Sequence, residues 1–230
     1  MKPSQSHSNR GWHNWVLYNI GDQYLEKYSI HIRGHLIDLG CGEAPFKEYF
    51  LQFADSYTGI DWSNTAHNSK ADIVSNLNEK IELSDNTADT IVSLSVMEHL
   101  CEPQIFLNES YRILKGGGEM VLQVPWQWHI HEAPHDYFRY TPYGLNYMFE
   151  KAGFVNIRIE ASSGFFTTWI VKMNYFSMRF IRGPGLLRFL IKLLLIPFWA
   201  IGQTLAPLLD KLDLYWEAES QGYFVLAMKK

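Results

Sequence analysis

Leu36-Ile37-Asp38-Leu39-Gly40-Cys41-Gly42-Glu43-Ala44 is an apolar run that ends in an acid and two closely spaced glycines. An apolar run of this length reads as a buried strand, and the glycines read as a tight turn where backbone approaches a ligand. A second run, Tyr57-Thr58-Gly59-Ile60, delivers Asp61 about twenty residues later. An acid at the end of the second strand is how nucleotide-binding sheets hold ribose hydroxyls. The spacing is D-x-G-x-G, not the G-x-G-x-x-G of a dinucleotide site.

Strand-like and helix-like segments alternate outward from this point. Trp12 to Tyr28 reads as an amphipathic helix, residues 35–40 as the first strand, and Ala44 to Phe53 as a helix. Strands follow at 56–61, Ala71 to Ser75, Thr90 to Ser95 and Glu119 to Val124, the last stopped by Pro125. Helices are expected from Pro103 to Leu114 and from Thr141 to Ala152. Proline near the first turn and glycine just past the end (Gly116, Gly153) mark their limits. Val155 to Glu160 and Tyr223 to Met228 complete seven strands. Such alternation implies a mostly parallel sheet with helices on both faces. About sixty residues separate the last two strands, too many for a bare loop.

Two further stretches repeat a known pattern in order. They are Asn86 to Leu100, which contains Val96-Met97-Glu98-His99-Leu100, and Glu109 to Gly118, which ends in three glycines. With the first turn they resemble the motifs of class I S-adenosylmethionine-dependent methyltransferases of the type 11 kind, over roughly residues 35 to 125. The resemblance implies an α/β, Rossmann-like seven-stranded sheet with an antiparallel last strand. Here that sheet would carry a helical apolar insert between strands six and seven. One departure is Ala44, where the family often has a third glycine.

The resemblance also implies a cofactor, S-adenosyl-L-methionine, and residues to hold it. Gly40 and Gly42 leave the turn bare for its methionine end, and Asp38 positions its amino group. Asp61 accepts from the ribose hydroxyls, a charge-assisted contact. Asn76 and Leu77 align with positions flanking adenine, and Ser95 ends the fourth strand beside the methionine moiety. His99, next to Glu98, recurs in the family and reads as architectural.

The acceptor side follows the fifth strand. Trp126 to Pro142 is the densest polar and aromatic cluster in the chain, at the carboxyl edge of the sheet where open parallel sheets bind ligands. It resembles a segment of methyltransferases found with bacterial cell-surface glycan synthesis. A sugar hydroxyl needs help losing its proton, and a histidine oriented by a carboxylate supplies it. His131, His135, Asp136 and Arg139 are the candidates. Asp136 serves either histidine, or forms with Arg139 a salt bridge that pins the loop; Arg139 alternatively pairs with an acceptor phosphate or carboxylate. His129, His131, Glu132, His135 and Asp136 are all possible metal ligands, but their spacing matches no standard zinc motif, and no metal is expected.

Composition adds a location. The 230 residues suffice for one domain with a full core, with residues 1–30 as an N-terminal helical segment whose first residues are expected to be mobile. Met1 to Arg10 has no apolar core, so it does not read as a signal peptide. The two cysteines, Cys41 and Cys101, form no C-x-x-C pair and suit a reduced cytoplasm. The net charge of -4 conceals an asymmetry: Ala161 to Leu209 holds five basic residues and no acid, leaving 15 basic against 24 acidic residues elsewhere. Residues 165–219 are also rich in leucine and aromatics. Arg188, Lys192, Pro197, Gln203 and Pro207 interrupt the apolar run, so interfacial helices on an anionic membrane are expected rather than a span. A buried cap over the site and a dimer interface are the alternatives. An oily basic segment on an acidic body does not suit nucleic acid.

The expectation is therefore O-methylation of a membrane-associated or lipid-linked glycan at the inner face of the cell membrane. An isoprenoid quinone or other small lipid as acceptor, and a non-catalytic cofactor-binding protein, are the alternatives.

Overall fold

The computed structural model describes residues 2–62 and 69–230. Seven strands form one sheet: β1 (His35–Leu39), β2 (Ser56–Asp61), β3 (Ile73–Val74), β4 (Ala88–Leu94), β5 (Leu114–Pro125), β6 (Phe154–Ala161) and β7 (Gly222–Lys229). Their order is β3-β2-β1-β4-β5-β7-β6. β1, β2, β3, β4 and β5 pair in parallel, and β7 runs antiparallel to both β5 and β6. This is the sheet expected from the sequence.

Burial on both faces explains why the strands read as apolar runs. Ile37, Leu39, Ile60, Ile91 and Leu122 share one core with Phe106 and Leu107 of α3 (Pro103–Ile113) and Phe149 of α4 (Pro142–Ala152). On the opposite face, Leu36, Val92 and Val121 pack with Leu25 and Tyr28 of α1 (Trp15–Tyr28) and with Phe50 of α2 (Lys47–Phe50). α4 is delimited by local chemistry: the Thr141 hydroxyl accepts from Gly144 N, and Gly153 takes φ +101° just past the end.

Two elements differ from expectation. The helix expected at Ala44 to Phe53 is the single turn Lys47–Phe50, and it cannot start at Ala44, which takes a left-handed φ of +51°. β5 begins at Leu114 rather than Glu119. The register against β4 shifts between Ala88 and Thr90, and a side chain at Gly118 would meet Asp89 O and Lys115 O at 3.0 and 2.9 Å.

The N-terminal segment is docked from Pro3 onward rather than loose. Ser4 is buried and donates from both N and Oγ to Asp22 on α1, and Arg10 pairs with the same carboxylate.

The insert is helical, as expected: α5 (Phe165–Met178), α6 (Gly185–Asp210) and a short 3-10 turn (Trp216–Glu219). Asp210 accepts backbone N–H groups from Gly164, Phe166 and Thr167, so the end of α6 caps the start of α5. Gln203, which interrupts the apolar run in sequence, is buried. It accepts from Val16 N and donates to Trp12 O and Trp199 O, tying α6 to the start of α1. Val16, Ile170, Val171 and Ala206 form a small third core there. The other half of α6, from Leu186 to Phe198, is mostly exposed.

Candidate functional site

A cleft of about 930 Å³ opens at the carboxyl ends of β1, β2 and β4, roofed by the N-terminal segment. Asp38, Gly40, Gly42, Asp61, Asn76, Leu77 and Ser95 all line it, so the fold gathers every residue expected to hold the cofactor.

The turn after β1 is fixed by its neighbour strand, since Gly40 N and Cys41 N both donate to Ile60 O. Gly40 has φ +83°, and a Cβ there would collide with Val96 at 2.3 Å. Gly42 has φ +52°, and its Cβ would meet nothing within 4 Å. That bare backbone facing a cleft is a cradle for a ligand. Each oxygen of Asp61 takes one backbone N–H, from Gly42 at 3.0 Å and Trp62 at 2.7 Å. A carboxylate has about four acceptor sites, so Asp61 keeps lone pairs for two hydroxyls. Asp38 is buried and accepts from the Tyr57 hydroxyl. Burial pushes its pKa up to about 7, with the Tyr57 hydrogen bond opposing and Asp61 adding to the shift.

The side chains of Asn76 and Ser95 are engaged within the protein. Asn76 Oδ1 accepts from Asn78 N and Nδ2, and Asn76 Nδ2 donates to Glu79, so its side chain shapes the loop rather than reaching for a ligand. Ser95 sits at φ +56° and donates N and Oγ to the Gln123 backbone and side chain. Leu77 is the apolar wall, almost fully buried.

The loop after β5 is clipped onto the turn after β4. Tyr137 N and Phe138 N donate to Glu98 O, Tyr140 Oη donates to Met97 O, and His99 Nδ1 donates to His135 O at 2.6 Å. Of the four acceptor-side candidates, His131 and His135 line the cleft. Asp136 and Arg139 form the salt bridge that pins the loop. Arg139 donates twice to Asp136, at 2.6 and 2.8 Å, and its remaining N–H groups go to Trp128 O, His129 O and Phe138 O. Its donors are spent within the protein, which leaves no fork for an acceptor phosphate. These bonds hold the Asp136 carboxyl down at about 2. Asp136 also takes His131 N at 2.9 Å and faces His131 Nδ1 at 3.4 Å, so it orients His131 and not His135. The His135 ring instead meets Trp62 edge-on, 5.1 Å between centroids. Burial and the neighbouring His99 depress the His131 imidazole.

Sequence reading missed the weight of Glu98. Its side chain is fully buried in the wall of the cleft, and neither carboxylate oxygen accepts a hydrogen bond among the described residues. Burial pushes its pKa up to about 8. His99, read from sequence as architectural, lies beside it with Nε2 3.8 Å from Glu98 Oε1.

A family model described as "Methyltransferase domain" matches residues 37–122, from β1 into β5. That stretch is a little over a third of the chain, and over it the chain resembles a methyltransferase domain. A probable S-adenosylmethionine-dependent methyltransferase of Mycolicibacterium smegmatis is 26% identical over 96 residues, which are 39% of this chain and 37% of that protein. The chain thus spans well under half the length of this curated relative. A similar protein of Mycobacterium tuberculosis is 24% identical over 96 residues, 39% of this chain and 35% of that one. Among solved structures, an S-adenosylmethionine-dependent methyltransferase from Archaeoglobus fulgidus superposes with TM-score 0.58 at 17% identity, covering 92% of this chain and 94% of that one. Phosphoethanolamine N-methyltransferase 2 of Haemonchus contortus, in complex with S-adenosyl-L-methionine, gives TM-score 0.56 at 16% identity over 95% of this chain and 56% of that one. The matched stretch contains the glycine turn, Asp61, Asn76, Leu77 and Ser95.

Proposed function

We propose that the chain is an S-adenosylmethionine-dependent O-methyltransferase whose acceptor is a hydroxyl of a membrane-associated or lipid-linked glycan. The observation that carries the activity is the joining of two sites in one cleft. The D-x-G-x-G turn with Asp61 forms one side, and the imidazoles of His131 and His135 form the other. The cofactor supplies an electrophilic methyl, and the protein holds the nucleophile in line with it. His135 takes the hydroxyl proton as the oxygen–carbon bond forms. S-adenosylmethionine held there would supply the methyl group and keep the electron pair of the broken sulfur–carbon bond on its sulfur.

The exposed half of α6 supports a membrane acceptor. Leu186, Phe189, Leu193, Leu194 and Ile201 are each more than half exposed, beside the exposed cations Arg182, Arg188 and Lys192. α6 has the length and mean hydropathy, 1.8, of a spanning helix. Its second half, however, is fastened to α5 through Trp199 and Asp210 and to the start of α1 through Gln203. The unfastened stretch 185–198 is about 21 Å long at 1.5 Å per residue, short of the roughly 30 Å of a bilayer core. A helix lying in the interface of an anionic leaflet fits both facts. The enzyme then works peripherally, from the cytoplasm, on the inner face of the cell membrane.

The test is transfer of labelled methyl from S-adenosylmethionine into a bacterial membrane extract. Alkali-stable label in the saccharide part of the lipid fraction is expected. Label in a quinone would replace the acceptor. Cofactor turnover by no fraction, with cofactor binding intact, would leave a binding protein.

A further inference from the structure

Glu98, His99 and His131 each offer one ligand atom, and these atoms lie within 4.8 Å of one another. We propose that they form a binding site for a divalent transition cation of the zinc kind, a two-histidine, one-glutamate set whose open side faces the acceptor end of the cleft.

Three observations converge on it. First, Glu98 is fully buried and lines the cleft, and both its oxygens lack partners among the described residues. A buried carboxyl without a hydrogen bond is costly unless something else occupies its lone pairs, and a cation does so. Second, both imidazoles are turned the way metal-binding imidazoles are. His99 spends Nδ1–H on His135 O at 2.6 Å, which leaves the Nε2 lone pair facing Glu98 Oε1 at 3.8 Å and Glu132 Oε2 at 3.9 Å. His131 has its Nδ1 3.4 Å from the Asp136 carboxylate, which leaves Nε2 as its free ligand atom. A carbonyl or carboxylate behind the outer ring nitrogen is the usual support of a ligating histidine. The bidentate Arg139 pair behind Asp136 fixes that support in turn. Third, the donor set is mixed imidazole and carboxylate, which suits zinc and its first-row neighbours rather than calcium or magnesium.

Donors about 2.1 Å from one ion cannot be more than about 4.2 Å apart. The 3.8 Å Glu98–His99 contact already meets that limit. The widest separation, up to 4.8 Å, must close by about half an ångström or more to meet that limit. Two donors come from the turn after β4 and one from the loop after β5, 32 positions on. That is why no zinc spacing is visible in the sequence. Three protein ligands leave a coordination position open. An acceptor hydroxyl bound there would lose its proton to His135 more readily. That use rests on the methyl-transfer reading; the binding of the cation does not.

The experiment is a titration of the untagged, metal-stripped full chain with Co2+, followed by its visible d–d absorption. One saturable equivalent is expected in the wild type. His131→Ala and Glu98→Gln should each weaken it by at least tenfold, and Asp136→Asn, acting through His131, by about 10–100-fold. His131→Gln repeats the reading if Glu98→Gln fails to fold. Circular dichroism and S-adenosylmethionine affinity of the same samples monitor the fold and the cofactor site separately. Absence of saturable Co2+ binding in the wild type overturns the site, as does unchanged affinity in folded His131→Ala. Either result with normal S-adenosylmethionine binding leaves the methyltransferase reading standing. Absence of S-adenosylmethionine binding in a wild type that still takes up one saturable equivalent of Co2+ does the reverse.

Discussion

The Tyr57 hydroxyl donates to the buried carboxyl of Asp38 across 2.7 Å, and this is the one polar side-chain partner seen for Asp38 among the described residues. Burial outweighs that bond, so Asp38 reaches about 7. The sign follows directly. Between the ordinary value of 3.8 and 7, the folded chain keeps a proton that the unfolded chain has released. Stability of the cofactor-free protein from this group is therefore present below 3.8 and is lost as pH rises through 7. A cofactor bearing an ammonium and a sulfonium favours the ionised form. Binding near pH 6 should thus release close to one proton, measurable by calorimetry in buffers of different ionisation enthalpy. Asp38→Asn should abolish the release, and no release in the wild type would move the cofactor's amino group elsewhere.

Ala44 stands at φ +51° where glycine would be unstrained. The left-handed conformation costs an alanine roughly 1–2 kcal/mol, and glycine loses back about 0.4–1 through the freer unfolded chain. Ala44→Gly should raise stability by about 0.5–1 kcal/mol, seen as a higher urea midpoint at unchanged slope. A lower midpoint would mean that the methyl group's packing outweighs the strain.

Asp210 holds the hairpin of α5 and α6 together through three N–H groups at a helix start, where a negative charge is also favoured. Asp210→Ala leaves those donors buried and unmet, at a cost of about 2–3 kcal/mol. Urea unfolding should report that loss. Asp210→Asn, which keeps an acceptor, should lose less.

The exposed half of α6 makes a separable prediction. The protein should float with vesicles containing anionic lipid. High salt should detach it only partly, because salt screens the cations but not the buried leucines. Each basic residue near the surface contributes about 1 kcal/mol, so changing Arg182, Arg188 and Lys192 together to Glu should release the protein with cofactor affinity unchanged. Wild-type protein that ignores vesicles, and that unfolds when residues 170–212 are deleted, would make the insert a part of the core instead.

The sheet and the glycine turn after β1 were legible because their signals are local. Strand periodicity, the glycines at 40 and 42 and the acid at 61 lie within one βαβ unit and need no tertiary knowledge. The helix after Ala44 was overestimated because nothing in the sequence marks an alanine that will be held left-handed. Asp136 was ambiguous between two histidines because adjacency in sequence puts His135 next to it. The backbone of the loop turns His131 toward it instead. Gln203 read as an interruption of an apolar helix, and only the packed fold shows the Val16 and Trp12 backbone groups that it satisfies. The gathering of Glu98, His99 and His131 depends on two loops from different strands, and no spacing rule reaches that far.

The central claim is that Asp61 and the turn at Gly40 and Gly42 bind S-adenosylmethionine. Calorimetric titration of the wild type and Asp61→Ala tests it most directly. The account predicts one cofactor per chain, and a loss of roughly 1.5–3 kcal/mol in the folded variant as the ribose hydroxyls lose a charged acceptor, about ten- to a hundredfold in affinity. Equal affinity in the two proteins would take Asp61 out of the site and contradict the cofactor assignment on which the rest depends.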